Sequence, residues 1–246
     1  SSATAFGLMF GVTVAGAAVS VATRRQATAV LAVLGGLITP VLVASEHPDE
    51  RALLGYLLVL DALVLGVSRY RSWPALNRLA WAGSLVLTIP IFSRSMEPPS
   101  LPARLALVTA LGLLFLMVPL ARSWSERKPA GPLDLVLVAG NAATYFMGIY
   151  LTLERGWIRA EAPWAVAMAA VYAAVAEAHR RRVPKDGPTV LLHHGIGATA
   201  LVIAAPLALE GPWVTLAWAA LGVVFFLLAT RRGDGGATLG AGLALG

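Results

Sequence analysis

The chain has 246 residues, of which 58% are hydrophobic and 13% are charged, and its mean hydropathy is +0.75. Soluble globular domains contain about 25% charged residues, so this composition excludes a soluble enzyme, a disordered tail and a nucleic-acid-binding domain. The formal net charge of +6 fits the same conclusion, because the arginines cluster in short segments between apolar runs, as topology signals do in membrane proteins.

Nine apolar runs of spanning or near-spanning length follow one another along the chain. They cover residues 3–23, 26–44, 52–68, 77–93, 102–121, 133–153, 162–178, 189–209 and 213–230. Apolarity around the whole circumference of each run predicts an all-α fold, a polytopic transmembrane helical bundle of nine spans that forms a single domain over residues 1–246. The chain begins without methionine or a basic leader, and residues 235–246 begin a further apolar run, so we expect a fragment of a longer protein.

The basic residues predict which ends of the spans face the cytoplasm. Odd-numbered loops hold 14 of the 19 Lys and Arg residues: Arg24, Arg25, Arg69, Arg71, Arg78, Arg122, Arg127, Lys128, Arg180, Arg181, Arg182, Lys185, Arg231 and Arg232. Short loops rich in Lys and Arg stay cytoplasmic, so we predict the N-terminus outside and the C-terminus inside. Trp124 then falls at the inner membrane boundary, where aromatic belts occur, and His47 falls in a solvated outer loop.

Small residues at four-residue spacing mark two helix faces. The first span carries Gly7, Gly11 and Ala15, and the sixth carries Gly140, Thr144 and Gly148. Such faces predict close helix packing within the chain, with a homodimer face as the alternative. In the second span Gly35 and Gly36 precede Pro40, which predicts a kink or, as in some transporters, a helix broken around a substrate.

Asp61 is the most central ionisable residue of the predicted spans, since it lies within the apolar stretch 57–65. An ionisable group in lipid is costly unless it is paired or wet. Two interpretations stay open: a buried carboxyl that is protonated or hydrogen-bonded to a neighbouring helix, or a proton or cation relay. Asn141 in the sixth span is a candidate hydrogen-bond partner.

A second polar group is predicted near the inner face. Its members are Asp134, Glu177, His179, His193 and His194, around the hairpin of the seventh and eighth spans. Imidazole and carboxylate groups suit a metal or haem; a titrating or lipid-headgroup site and simple interfacial anchoring are the alternatives. Glu177 and His179 are two residues apart, so they point to different sides of their helix.

Several chemical classes are excluded by what the sequence lacks. It has no cysteine, which removes disulfides, thiolate catalysis and Cys-ligated metals. It has no phosphate-binding lysine loop, zinc-protease motif, serine-hydrolase elbow or dinucleotide fingerprint. We therefore expect no cofactor, no metal and no nucleic acid. The expected partner is the lipid bilayer, with other membrane subunits or the remaining spans of a longer protein beside it.

Two blocks of sequence resemble a known family. They are GGLITPVL, LGYLL, WPALN and AG at residues 35–42, 54–58, 73–77 and 82–83, and APLALEGPWVTLAW at residues 205–218. They are similar to the domain-of-unknown-function family 2339, a set of large polytopic bacterial membrane proteins. Because the blocks lie at opposite ends, the resemblance spans most of the chain. It implies a membrane protein but no activity, cofactor or catalytic residue.

Three functions are consistent with these features in a bacterial cytoplasmic membrane. The first is a transporter-like or lipid-handling bundle, indicated by Asp61, the second span and the inner polar group. The second is a structural or accessory subunit of a larger membrane assembly, indicated by the small-residue faces. The third is an intramembrane enzyme on a lipid-linked substrate, which would use His193, His194 and Glu177 with nearby arginines.

Overall fold

The computed structural model describes residues 2–42, 50–71, 73–93, 101–154 and 156–232. His47, the charged loop residues at positions 46, 49, 94, 97 and 155, and the segment 235–246 lie outside these ranges. Within them the chain forms nine α-helices, one 3₁₀ turn and no strand. The helices are α1 Ser2–Thr23, α2 Gln26–Leu42, α3 Glu50–Arg71, α4 Pro74–Ser93, α5 Leu101–Glu126, α6 Pro132–Leu153, α7 Glu161–Arg182, α8 Gly187–Ala208 and α9 Pro212–Arg232, with the 3₁₀ turn at Ile158–Ala160.

Each predicted apolar run corresponds to one of these helices, which confirms the all-α membrane fold. Five described segments are long and apolar enough to cross a bilayer: Glu50–Ser68, Leu101–Glu126, Pro132–Leu153, Ile158–Arg182 and Gly187–Ala208. Two of them, in α3 and α7, contain two of the three shortest apolar runs of the sequence; they reach spanning length because these helices extend beyond the runs. The apolar stretches described in α1, α2, α4 and α9 are shorter.

The chain forms two compact units. Unit 1 contains Ser1–Val118 and Met147–Thr152, and unit 2 contains Pro119–Phe146 and Leu153–Gly246. A single domain over residues 1–246 stays a prediction.

The core of unit 1 forms around one face of α3. Leu54, Leu57, Leu60 and Val64 recur at helical spacing and are fully or almost fully buried. The neighbouring helix α2 approaches closely at Gly36, where a side-chain Cβ would lie 2.9 Å from Leu60 Cδ1. Small residues therefore set the packing distance between these helices, as is usual in membranes.

The core of unit 2 is the antiparallel pair of α7 and α8. The buried face of α7 carries Ala165, Ala169, Tyr172 and Ala176. A Cβ at Gly197 of α8 would lie 3.2 Å from the carbonyl oxygen of Ala169, so the two backbones pack almost directly together. This close pair positions the residues at the α7–α8 turn.

The glycines singled out in the sequence differ in their surroundings. A Cβ at Gly148 would lie 2.8 Å from the Phe92 ring, so this position belongs to a helix contact within unit 1. A Cβ at Gly7 or Gly11 would meet no atom of the described residues within 4 Å, and at Gly140 the backbone carbonyl accepts a hydrogen bond from Thr144 within the same helix. The homodimer alternative for the face of α1 stays a prediction.

Helix α2 is continuous through Gly36 and Pro40, so the helix is not broken at this point. Proline lacks an N–H, so Pro40 leaves the carbonyl of Gly36, four residues earlier, without its helical hydrogen bond. The hydroxyl of Tyr56 in α3 donates to that carbonyl at 2.8 Å. An interhelical hydrogen bond thus satisfies a backbone group that water cannot reach in a bilayer.

The same arrangement recurs in unit 2. Pro206 lies inside α8 and leaves the carbonyl of Val202 without its helical donor. The indole Nε1–H of Trp218 in α9 donates to this carbonyl at 2.9 Å. Proline is tolerated in both helices because the next helix supplies the missing donor.

Candidate functional site

Asp61 is completely buried in unit 1. The hydroxyl of Ser84 in α4 donates to its Oδ2 at 2.6 Å, and its Oδ1 has no hydrogen-bond partner in the described part of the chain. The small cavity of about 10 Å³ in this unit is lined by other residues, such as Thr13, Ala29 and Leu76. The hydrogen-bond partner of Asp61 is therefore Ser84, while Asn141 is buried in unit 2 and its role stays a prediction.

A second polar pair in unit 1, between a buried arginine and a half-buried glutamate, was not expected from the sequence. Arg104 in α5 is 1% exposed and donates through Nη2 to Glu50 Oε2 of α3 at 2.8 Å. Arg104 lies only two residues inside the apolar run that starts at residue 102, so its position in the sequence gives no sign of a buried side chain. The ion pair joins the beginnings of two candidate spans.

In unit 2 the structure brings His179 together with Asp186 and Trp124. His179 is fully buried, and its Nε2 lies 2.9 Å from Asp186 Oδ2. The indole Nε1–H of Trp124, in the last turns of α5, donates to His179 Nδ1 at 3.0 Å. Because an indole can only donate, Nδ1 must be the acceptor nitrogen, and the ring donates its Nε2–H to the carboxylate.

Asp186 is the centre of this network, and it was not singled out in the sequence. As the N-cap of α8 it accepts the backbone N–H of Thr189 on Oδ1 at 3.3 Å, while Oδ2 accepts the N–H of Ala130 at 2.9 Å. Burial acts to raise the pKa of Asp186, but these hydrogen bonds and the one from His179 outweigh it and hold the pKa below its ordinary value. Asp186 therefore joins the α5–α6 turn to both ends of the α7–α8 turn.

His193 extends the cluster into the bundle. Its ring is fully buried, stacks on His179 with centroids 6.5 Å apart and lies 5.7 Å from the Tyr172 ring. Its Nδ1 lies 2.7 Å from the carbonyl of Thr189, one helical turn earlier, so this nitrogen is the donor. Its Nε2 has no hydrogen-bond partner among the described residues.

The other predicted members of the inner group have local roles or lie apart. Glu177 accepts hydrogen bonds from Arg180 and Arg181 at 2.8–2.9 Å on the exposed side of α7. Asp134 caps the start of α6 by accepting the Gly131 N–H at 3.3 Å. His194 is half-buried in α8. Across the described ranges, no group of three or more His, Asp or Glu side chains is arranged to hold a metal ion.

Beside the network lies an open groove of about 860 Å³. Its lining residues come from the last turns of α5 and α7 and from the turns that follow these helices: Trp124, Arg127, Pro129, Arg181, Arg182, Val183, Pro184 and Lys185. The guanidinium carbon of Arg182 lies 4.3 Å from the centroid of the Trp124 ring, a cation–π contact. We call this feature the basic groove.

The charges of the basic groove are largely uncompensated. Arg181 is paired with Glu177 at 2.8 Å. Among the described residues, Arg127, Arg182 and Lys185 form no ion pair with a carboxylate, and no acidic residue lines the groove. Three cations beside an aromatic ring are suited to bind an anion.

Arg127 adopts a backbone conformation that favours glycine. Its φ is +51°, and the Lys128 N–H bonds to the Ser123 carbonyl at 3.3 Å, which is the Schellman ending of a helix. A left-handed backbone costs a residue with a Cβ about 1–2 kcal/mol. Arg24 after α1 has the same conformation, with φ +59° and an Arg25 N–H to Ser20 carbonyl bond.

Two sequence signals could have identified the network. Asp186 is followed by glycine and proline at the start of the eighth apolar run, which is a typical N-cap pattern. An N-cap aspartate close to a histidine at the end of the preceding helix predicts that the two side chains meet in a tight hairpin. Trp124 carried no such signal, because its partner lies 55 residues away.

Comparison with the models of known protein families shows which family the chain matches. The profile of the family described as "Predicted membrane protein (DUF2339)" matches residues 1–241. The chain belongs to the DUF2339 family. The match confirms the resemblance seen at residues 35–83 and 205–218 and extends it across almost the whole chain. Comparisons with curated proteins and with solved structures find no match to this DUF2339 protein.

Proposed function

We propose that this DUF2339 protein is a multi-pass protein of the bacterial cytoplasmic membrane that handles lipid at the inner leaflet, with its N-terminus outside and its C-terminus inside. The basic groove is the observation that carries the proposal. All of its cationic residues belong to loops that the positive-inside rule assigns to the cytoplasm. The cytoplasmic leaflet is the one whose anionic headgroups attract basic residues.

The position of the basic groove along the helices supports a headgroup ligand. The groove lies where the candidate spans Leu101–Glu126 and Ile158–Arg182 end and where Gly187–Ala208 begins. Span ends lie at the depth of lipid headgroups, and tryptophan is enriched at that depth. A phosphate beside Trp124 and Arg182 would thus lie at headgroup depth, with its acyl chains extending into the hydrocarbon core.

The contacts of the other candidate residues support transport and intramembrane catalysis less than they support lipid handling. Asp61 accepts a hydrogen bond from Ser84, and helix α2 is continuous, so two of the features that indicated transport favour it less. Glu177 pairs with arginines on the surface while His193 is buried, so the residues assigned to an enzyme do not share a site. Partner subunits stay a prediction.

Lipid retention tests the proposal. The purified protein is exchanged into phosphatidylglycerol or phosphatidylcholine, and the bound lipids are counted by native mass spectrometry. We expect the wild type to retain phosphatidylglycerol preferentially and a variant with Arg127→Gln, Arg182→Gln and Lys185→Gln to lose that preference. The matched control replaces Arg24, Arg25 and Arg78, which removes the same charge from unit 1 and leaves the preference intact. Equal retention by the groove variant and the wild type would contradict the proposal.

The absence of cysteine makes the proposed sidedness easy to test. A single thiol introduced by Lys185→Cys is expected to react with a membrane-impermeant maleimide only after the cells are lysed. A thiol introduced by Trp213→Cys, at the predicted outer boundary, is expected to react in intact cells. The reverse pattern would place the basic groove outside and overturn the orientation.

A further inference from the structure

We propose that the basic groove selects lipids whose headgroup ends in a phosphate monoester over lipids whose phosphate is a diester. This inference rests on the proposed function and names the ligand class of the same site. It is carried by the uncompensated charge of the groove, by the fixed position of Arg182 and by the backbone conformation of Arg127.

The first support is the match of charge. Arg127, Arg182 and Lys185 present three positive charges with no carboxylate among the lining residues. A terminal phosphate carries about −1.5 to −2 near neutral pH and has three acceptor oxygens. A diester phosphate carries about one negative charge and two such oxygens, so it leaves more of this positive charge uncompensated.

The second support is the fixed position of Arg182. Its guanidinium lies on the Trp124 ring, and Trp124 is held by the buried His179. His179 is held in turn by Asp186, whose carboxylate is anchored by backbone N–H groups. A guanidinium that is already in place loses less freedom on binding. Its planar fork binds two phosphate oxygens at once, which leaves the third oxygen of a monoester for the other cations of the groove.

The third support is the strained backbone of Arg127. The fold keeps arginine where glycine would remove the strain, and it does so at the rim of the basic groove. Strained residues persist where the surrounding structure holds them, and they cluster at functional sites. Arg24 has the same conformation and provides a control outside the groove.

The test compares phosphatidate with phosphatidylglycerol of the same acyl chains, added to the 246-residue chain in phosphatidylcholine nanodiscs. We expect phosphatidate to bind about tenfold more tightly, the difference that one additional charge-assisted contact makes. Arg127→Gly should raise Tm and abolish the preference, whereas Arg24→Gly should raise Tm and retain it.

Arg182→Gln provides a second variant, with Arg180→Gln as its control on the paired, exposed side of α7. The preference should also weaken below about pH 6, where the monoester loses its second charge.

Each other outcome has a definite meaning. Equal binding of both anionic lipids, above that of phosphatidylcholine, would overturn the monoester inference and leave the proposed function standing. Binding of neither anionic lipid above phosphatidylcholine would overturn both. Displacement of phosphatidate by an equal concentration of soluble glycerol 3-phosphate would show that the ligand is a free phosphate monoester, and would overturn the lipid part of the inference.

Discussion

Two buried aspartates in the two units of the chain illustrate different uses of a carboxylate. Asp61 in unit 1 lies mid-helix and accepts one hydrogen bond, from a hydroxyl. Asp186 in unit 2 lies in a turn and is contacted by the backbone N–H groups of Ala130 and Thr189 and by the ring of His179. The first joins two helices, whereas the second joins two turns that line the basic groove. Asp61 has the more apolar flanking sequence, but Asp186 accepts more hydrogen bonds. The number of hydrogen bonds therefore indicates that Asp186 matters more to the structure.

The largest expected effect is the difference in stability lost when each of these two aspartates is replaced by asparagine. Asp186→Asn removes the ionised acceptor and places an amide against donor groups, so we expect a loss of about 2–4 kcal/mol in the free energy of unfolding. Asp61→Asn retains an acceptor for the Ser84 hydroxyl and should cost less than about 1 kcal/mol. Reversible unfolding in mixed micelles measures both values. A larger loss for the Asp61 variant would reverse the comparison.

Acid should weaken the network through Asp186. Because its folded-state pKa is lowered, the stability it contributes is fully present above the unfolded value of about 3.9 and is lost as the pH falls through the folded pKa. We expect the wild type to lose this contribution as the pH falls from about 5 through the folded-state pKa, at about 1.4 kcal/mol per unit of pKa difference. Asp186→Asn should lack this part of the pH dependence. An unchanged pH profile in that variant would show that Asp186 has no such role.

Trp124 should affect both stability and ligand binding, which a purely packing residue would not. Trp124→Phe keeps an aromatic ring beneath Arg182 but removes the donor to the buried His179, at an expected cost of about 1–2 kcal/mol. It should also reduce the preference for anionic lipid in the retention experiment. Trp218→Phe removes an indole donor elsewhere in unit 2 and serves as the control, since it should leave lipid retention unchanged.

The smallest expected effects concern a feature that the two units share. Tyr56→Phe in unit 1 and Trp218→Phe in unit 2 each remove the donor to a proline-freed carbonyl, at about 0.5–1 kcal/mol. Replacing Pro40 with alanine restores the helical N–H, so Tyr56→Phe should cost less in that background. A double-mutant cycle for Tyr56 and Pro40 measures this coupling. Additive effects would contradict the role assigned to the tyrosine hydroxyl.

The helices were predictable because a bilayer imposes a simple rule on sequence. Each of the nine apolar runs became a helix, including the second one with Gly36 and Pro40, since lipid leaves the backbone no other way to pair its polar groups. The partners of those helices were not predictable. Apolarity around the whole circumference gives no indication of which neighbour supplies Ser84 to Asp61 or Tyr56 to Gly36.

The candidate site was predictable only in part. The histidine pair at the α7–α8 hairpin followed from its closeness to the turn, and His179 and His193 do stack. The uncompensated charge of Arg182 did not follow, because in sequence this residue lies within a charged segment that the positive-inside rule already explains. Only the three-dimensional pairing of Glu177 with Arg180 and Arg181 shows which arginines are left without a carboxylate.

The most direct measurement of the central claim locates the bound headgroup itself. A phosphatidylglycerol analogue with a photoreactive headgroup is cross-linked to the protein in nanodiscs, and the labelled peptides are identified by mass spectrometry. The basic groove predicts labelling at residues 124–129 and 181–185, which decreases when Arg182 is replaced by glutamine. Labelling confined to unit 1, or unchanged labelling in that variant, would contradict a headgroup site in the basic groove.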